Sequence, residues 1–471
     1  MRIDKKLSEV LGAFVQKNYP LLPSLIETLV QAGGLVFLVG GAVRDLLLGV
    51  SIKDLDIEIH GLSMEQLETI LKKFGHVRLV GKQFGVLRID GIDIDFSLPR
   101  KDSKGRKPEV MVDPNMSIED AFRRRDLTIN AMGIDMATNE LVDPFDGYTD
   151  LKNSSLRAVD KKLFIEDPLR FYRVMQFAAR FGMDPDAQLD ALCQSLDLRG
   201  VSTERLDDEF KKMMLKSRQP SRGFRWLKKI GRLHDLFPEL YALIDVPQRN
   251  DYHPEGDVFE HTMQSLDAAA ELSHDLPEFD RLVLMYAALC HDVGKPATTQ
   301  EIKGVIQSPG HAQEGEPLTE KLLRSITHNN DIITAVKKLV RYHMEPLSLV
   351  SNNAKPAAYK RLAGKLAPET YIALLALLAR ADQMGRFNKD TKASPINFDA
   401  LETFIKNAQE AMVEHRPEEP LLQGRDIMDL VKPGPAMGNL LKKAYEIQID
   451  EGVRDKDALK KRIVEILARK K

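Results

Sequence analysis

A chain of 471 residues has room for about three domains of ordinary size. Apolar residues make up 43 % and charged residues 29 %, enough of both to build cores and keep them in water, which excludes a wholly disordered protein. Lys and Arg number 68 against 70 Asp and Glu, a formal net charge of −2, so any grip on a polyanion must come from local patches.

The two cysteines, Cys193 and Cys290, are too few for a disulfide framework or a cysteine-based zinc site. The N-terminal MRIDKKLSEV lacks the apolar stretch of a secretory signal, and the longest apolar runs, LVLMYAALC and YIALLALLA, fall far short of the ~20 residues that span a bilayer. A soluble, cytoplasmic, multidomain protein with no membrane partner is expected.

In chain order, residues 6–33 read as helix, because Leu7, Val10, Leu11 and Phe14 recur at helical spacing. LVFLV at 35–39 reads as a short strand, turned by Gly40-Gly41 into the helical AVRDLLLG. DLDIEI, VLRI and GIDIDFSL alternate polar and apolar residues, the pattern of strands with one face packed and one exposed. A basic loop follows at 100–107, then a helical stretch holding RRRD. Beyond about 155 strand signals nearly vanish, and capped helical patterns run to the C-terminus with breaks over 236–257 and near 385–397. The expected fold is α+β: a helical extension over 1–34, a small mixed head over 35–155, a helical neck and body over 156–247, a helical unit over 248–386 and a helical tail over 387–471.

The first chemical constellation is acidic. Asp54 and Asp56 point to one face of a strand, and Asp93 and Asp95 share a face of another. If the strands are neighbours, three or four carboxylates crowd one surface, where like charges repel unless a cation sits among them. Oxygen ligands without nearby His or Cys suit Mg²⁺. Two such ions about 3.5–4 Å apart activate an attacking hydroxyl and steady a leaving pyrophosphate. A lone D-x-D is more often a solvated strand face. Here a glycine turn and Arg44 precede it, and glycines beside a helix N-terminus let backbone approach phosphate while Arg44 offers a forked contact.

LVGGAVRD, KDLDIEI, DIDFSLPR, RRRDLTINAM, DPFDGYTDL, EDPLRFYR and STERLDDEF stand in the order seen in bacterial class II tRNA nucleotidyltransferases. The resemblance covers about residues 35–245. It implies a DNA polymerase β-like head that transfers nucleoside monophosphates from CTP and ATP to the 3′ hydroxyl of a tRNA acceptor end. By position, Asp54 and Asp56 resemble the Mg²⁺ ligands and Asp95 the third catalytic carboxylate, while Gly41, Arg44 and Arg125 resemble triphosphate and ribose contacts.

EDPLRFYRVMQFAARF reads as a helix with Asp167 at its cap and Pro168 in its first turn, and Arg170 and Arg173 lie near one another on it. The resemblance implies that Asp167 and Arg170 bond the edge of the incoming base, with Arg173 beside them as a nucleotide contact. Many relatives carry a further Arg where this chain has Gln176, whose neutral amide cannot replace the charge. Residues 211–232 hold nine Lys and Arg and no acidic residue, with Phe224 and Trp226 interleaved. Lys211, Lys212, Arg222, Arg225, Lys228 and Lys229 are therefore expected to contact the RNA backbone.

Farther on, His261, the pair His291-Asp292 at the end of an apolar run, His311, His343 and Asp382 follow in order. The H…HD…D set resembles HD-domain phosphohydrolases, down to the Gly-Lys after the HD pair, and YHPEGD and PGHAQEG resemble the HD region fused to some CCA-adding enzymes. The resemblance implies a metal site of His261, His291, Asp292 and Asp382 with phosphatase or 2′,3′-cyclic phosphodiesterase activity. Mixed nitrogen and oxygen ligands suit a transition metal such as Ni²⁺ or Mn²⁺. The nearest rivals are a poly(A) polymerase, against which Gln83 stands where those enzymes tend to have a second basic residue, and a partial adder, against which residues 100–120 look full length. A rival of another class is a phosphohydrolase whose head only binds RNA.

Overall fold

The computed structural model describes residues 5–52, 54–80, 85–102, 110–387 and 397–468. Gln83 and most of the basic loop, residues 103–107, lie outside them. The chain forms two compact units, Met1–Ser202 and Thr203–Lys471.

The first unit opens with two helices, α1 (Lys5–Asn18) and α2 (Leu22–Gln31), where the sequence pattern reads as one over 6–33. Pro20 is the cause: it has no N–H to continue the ladder, and it biases the residue before it, Tyr19, away from the helical region. Strand β1 (Leu35–Val39) leads into helix α3 (Gly41–Leu47), and β2 (Leu55–His60), β3 (Val77–Val80), β4 (Val86–Ile89), β5 (Ile94–Ser97), β6 (Gly133–Asp135) and β7 (Glu140–Val142) follow. They form one sheet in the order β3-β4-β5-β2-β1-β6-β7. β2 and β5 are parallel neighbours, and β1 is antiparallel to both β2 and β6.

Ile134, Leu38, Ile57 and Phe96 lie side by side across four strands, each with no exposed surface. Burying such a side chain contributes about 1.5–3 kcal/mol, so this row fixes the register and sends the alternate residues to the opposite face. That face is not uniformly open, as alternation predicts. Phe37, Val39, Met116, Phe122 and Ala131 cover it at one end, and Glu58 and His60 are buried there with them. The end carrying Asp54, Asp56 and Asp95 stays accessible. Helix α4 (Leu169–Phe181) stops at Gly182, whose φ of +66° is the left-handed stop typical of glycine.

The second unit is helical apart from a small hairpin, Gln300–Ile302 with Val305–Gln307, a strand pair that the thinning strand signals did not announce. Its main helices are α5 (Thr203–Lys216), α6 (Ser221–Lys229), α7 (Val258–Leu272), α8 (Glu278–Cys290), α9 (His311–Arg324), α10 (Asn330–Tyr342) and α11 (Ile372–Met384). LVLMYAALC is α8, buried over its whole apolar run. Two glycines set how closely these elements meet. A Cβ on Gly294 would lie 2.1 Å from the His311 carbonyl oxygen, and one on Gly385 would lie 2.1 Å from Ser265 Oγ. Toward the C-terminus Leu422, Ile427, Met437, Leu440, Leu459 and Ile463 close a small separate core. Among the described residues no helix is long and apolar enough to cross a membrane.

Candidate functional site

In the first unit the register brings Asp56 directly beside Asp95, on the neighbouring parallel strands β2 and β5. Asp54 and Asp93 stand one residue before those strands, so the four acidic residues gather at one sheet end. Partial burial pushes the Asp56 carboxyl above the usual range, repulsion from Asp95 and Asp54 adds to this, and Arg125 opposes it. A carboxyl held up by desolvation and by like-charged neighbours is what a divalent cation would relieve. Arg88 of β4, which sequence reasoning did not single out, donates through Nε to Asp95, and its Nη1 lies 3.5 Å from Asp93.

The glycine turn before the carboxylates has a specific reason. Gly40 has φ +72°, and a Cβ there would meet the Arg125 guanidinium at 2.9 Å. Gly40, rather than Gly41 alone, therefore lets Arg125 reach the carboxylate end. Desolvation lowers the pKa of the partly buried Arg125, and its Nη2 lies 3.9 Å from Glu58. Arg44 lies in the interior, only 5 % exposed, where it donates to Asn130 Oδ1 at 2.6 Å and Asp45 Oδ1 at 2.7 and 2.9 Å. Its guanidinium is 4.5 Å from the Phe181 ring centre, so it ties the turn to α4.

Buried carboxylates hold the arginines in place. Burial alone would raise the Glu58 carboxyl, but a bond from His60 and the charges of Arg125 and Arg124 bring it down to about 2. Asp126 is likewise at about 2, where the Arg173 charge, the Asn130 amide and the Arg173 bond outweigh burial. Arg173 Nε donates to Asp126 Oδ2 at 2.6 Å, and Arg170 donates to the carbonyls of Arg124 at 2.6 Å and Leu163 at 3.0 Å. Asp167 Oδ1 accepts from the Leu169 N–H at 3.1 Å, which is capping work at the start of α4. Gln176 is 2 % exposed and its Nε2 has no hydrogen-bond partner among the described residues.

The basic stretch 211–232 folds differently from a flat aromatic and cationic surface. Phe224 and Trp226 are core residues, 0 % and 5 % exposed, so they offer no ring to a base. Lys211 pairs with Asp207, Lys212 with Glu209 and Arg225 with Glu260, while Lys228 lies 4.7 Å from the Phe259 ring centre. The run is one-signed in sequence, but three of its cations meet carboxylates from outside the stretch. Arg222 and Lys229 lie on α6 in the same stretch.

In the second unit five side chains converge around Asp292. His261 of α7 places Nε2 3.0 Å from Asp382 Oδ1 of α11 and 3.6 Å from Asp292 Oδ2. His291 Nε2 lies 3.2 Å from Asp292 Oδ2 and 3.3 Å from His261 Nε2. On the other side His311 Nε2 is 3.4 Å from Asp292 Oδ1, and His343 Nε2 is 3.0 Å from His311 Nε2. The expected set of His261, His291, Asp292 and Asp382 is thus brought together. His311 and His343, noted in the sequence order but not assigned as ligands, join it through Asp292.

The outer nitrogens decide what the inner ones can do. Nδ1 of His291, His311 and His343 faces the carbonyls of Ala288, Ser308 and Val340 at 2.9, 2.8 and 2.7 Å, and His261 Nδ1 lies 2.8 Å from Glu255 Oε1. A proton on each Nδ1 leaves each Nε2 as a bare lone pair aimed inward, the tautomer of a metal-binding histidine. Burial, with the charges of His311 and His291, holds His343 down to about 3, so it stays neutral. Opposed lone pairs at about 3 Å, gathered around the buried carboxylate of Asp292, fit a divalent cation. Two triads share Asp292: His261–His291–Asp292 and Asp292–His311–His343, each with ligand atoms within 4.8 Å of one another. Lys295 Nζ lies 2.7 Å from Asp292 Oδ2, and Arg386 Nη2 bonds Asp382 Oδ2 at 2.9 Å.

Family models match three stretches of the chain: the poly A polymerase head domain at 36–157, the probable RNA and SrmB-binding site of polymerase A at 186–243, and the HD domain at 258–384. A multifunctional CCA protein of Mannheimia succiniciproducens is 34 % identical over 377 residues, covering 76 % of this chain and 86 % of that protein. Another, of Ralstonia nicotianae, is 36 % identical over 322 residues, covering 65 % and 72 %. Among solved structures, a CCA-adding enzyme with ATP aligns over 98 % of both chains with a TM-score of 0.62 at 20 % identity. A Thermotoga maritima CCA-adding enzyme complexed with tRNA aligns over 99 % of this chain and 97 % of that one, with a TM-score of 0.56 at 19 % identity. These structural likenesses show the fold.

Proposed function

The chain belongs to the family of multifunctional CCA proteins, a nucleotidyltransferase head joined to an HD domain, and on that premise we propose that it completes or repairs the 3′-terminal CCA of tRNA from CTP and ATP. The observation that carries this reading is the pairing of Asp56 with Asp95 on adjacent strands, with Asp54 beside them at the open end of the sheet. Asp54, Asp56 and Asp95 would hold a divalent cation of the Mg²⁺ type, which supplies charge neutralisation at the triphosphate and lowers the pKa of the attacking hydroxyl when bound. The RNA 3′ oxygen forms a bond to the α-phosphorus, the α–β P–O bond breaks, and pyrophosphate leaves.

The chain's own groups do the orienting. The Gly40-Gly41 turn brings backbone and Arg125 to the phosphates, and Arg44 stiffens that turn from beneath. Asp126 fixes Arg173, and Asp167 with Arg170 presents an acceptor and a donor to the edge of cytosine or adenine, replacing a nucleic-acid template. Lys211, Lys212, Arg222, Arg225, Lys228 and Lys229 would contact the RNA backbone by exchanging protein carboxylates for phosphates.

The buried histidines support a second, hydrolytic centre that takes phosphate esters or 2′,3′-cyclic ends, with His261, His291, Asp382 and the shared Asp292 as ligands. His311 and His343 extend it to a second cation position. The donor set favours a transition metal such as Ni²⁺ or Mn²⁺. Lys295 and Arg386 stand where they would meet anionic phosphate oxygens. The test is incubation of tRNA transcripts lacking one, two or three terminal nucleotides with each NTP and Mg²⁺, read at single-nucleotide resolution. Ordered addition of C, C and A is expected; a run of A, or no addition, overturns the reading.

A further inference from the structure

The break between α1 and α2 puts an aromatic ring at the catalytic end of the sheet. Tyr19 Oη donates to the backbone carbonyl of Asp93 at 3.2 Å, across 74 positions of sequence. Asp93 is the residue before β5 and two before Asp95. Burial raises the Tyr19 pKa, and the charges of Asp93 and Asp54 add to it, which places the phenol within their field and keeps it neutral. Phe14 backs the ring, with centroids 6.0 Å apart and planes at 60°. The segment is anchored from both sides, by Leu11 and Val15 of α1 and by Leu22, Leu25, Ile26 and Leu29 of α2, all buried.

This ring comes from residues that precede the matched head, which begins at 36. Resting on the nucleotidyl-transfer reading above, we propose that Tyr19 is a stacking platform for the terminal base of the RNA being extended. The 3′ hydroxyl has to reach Asp54, Asp56 and Asp95, so the last base of the primer must lie within a nucleotide's length of them. A half-buried ring beside that path, backed by Phe14 and held between two anchored helices, loses little freedom when a base settles on it. A π-face also accepts any base, as a primer whose end changes at each addition requires. On the reading above, the incoming nucleotide is served elsewhere, by Asp167 just before α4 and Arg170 on it.

A tRNA transcript lacking CCA and carrying 2-aminopurine at its 3′ end tests this. The full-length protein is expected to quench its fluorescence, Tyr19→Phe to quench equally, and Tyr19→Ala and Tyr19→Leu to lose the quench. For the last two, KM for tRNA should rise about tenfold while kcat and KM for CTP stay within about twofold, the size expected of one base–aromatic stack. Tyr19→Phe should keep the wild-type KM for tRNA. Wild-type KM and quenching in Tyr19→Ala would overturn the proposal. So would a Tyr19→Phe that behaves like Tyr19→Ala, because the effect would then belong to the bond holding Asp93. Tyr19→Leu keeps the apolar bulk, so retention of binding by that variant would also assign the ring to packing and overturn stacking. Absence of nucleotide addition by the wild type itself would instead remove the transferase reading on which this rests.

Discussion

The two candidate centres solve the same problem, holding divalent metal against phosphate, with opposite materials. The head centre is an open strand edge of oxygen donors, with Asp54 and Asp56 exposed and Arg88 and Arg125 close by. The HD centre is closed: His261, His291 and Asp292 are at most 1 % exposed, and each imidazole is oriented by an outer oxygen. An open carboxylate edge suits a cation that arrives with its triphosphate and leaves with pyrophosphate. A buried, pre-oriented histidine cage suits a resident ion.

The sharpest way to break this comparison is to remove one centre and assay both. Asp56→Ala is expected to cut nucleotide addition by at least about a thousandfold, the loss expected when metal charge stabilisation worth several kcal/mol is removed. Hydrolysis of 2′,3′-cyclic ends by the same preparation should be unchanged. Asp292→Asn is the reciprocal experiment. Metal retained after dialysis, measured by elemental analysis, should fall to background together with hydrolase activity, while addition stays within about twofold.

A third prediction concerns how firmly the head's arginines are held. The Asp126 carboxyl sits at about 2, below its usual 3.8, so its pairing with Arg173 stabilises the fold above pH 4 and is lost as pH falls from about 4 toward 2. The shift corresponds to about 2 kcal/mol. Asp126→Asn cannot titrate, so the gap between wild-type and variant melting temperatures should be widest near pH 6 and close toward pH 2. A gap independent of pH would mean that the pairing is weak.

The smallest effect is expected at Asp167. Asn keeps the acceptor that bonds the Leu169 N–H but adds a donor, so Asp167→Asn should melt near the wild type. If the residue reads the base, relative kcat/KM among the four NTPs should shift by about 1–3 kcal/mol, with UTP and GTP gaining. Unchanged selectivity would leave Asp167 a helix cap.

Alternation alone made the head legible: it gave β2, β4 and β5 and put Asp54, Asp56 and Asp95 on one side. It could not tell that Glu58 and His60, in the same phase as Asp56, are buried, because what covers them, Arg124 and the Met116–Phe122 layer, returns from some sixty residues away. The basic run looks one-signed for a related reason, since Asp207, Glu209 and Glu260, which pair with three of its cations, sit outside the stretch. The HD ligands were visible as an ordered set of residue types. That His311 and His343 share Asp292 depends on the meeting of α9 and α10 beyond the end of α8, a fact of packing that no local pattern records. Pro20 was a local signal of the helix break, and helical periodicity on both sides of it masked the interruption.

Gly294 gives the HD centre its gauge. Its α-carbon sits against the His311 carbonyl, so the spacing between the two triads is set by main chain on main chain, with no rotamer able to widen it. A single added methyl group would act as a shim. Gly294→Ala would displace His311 from Asp292 and so part the triad Asp292–His311–His343 from the triad His261–His291–Asp292.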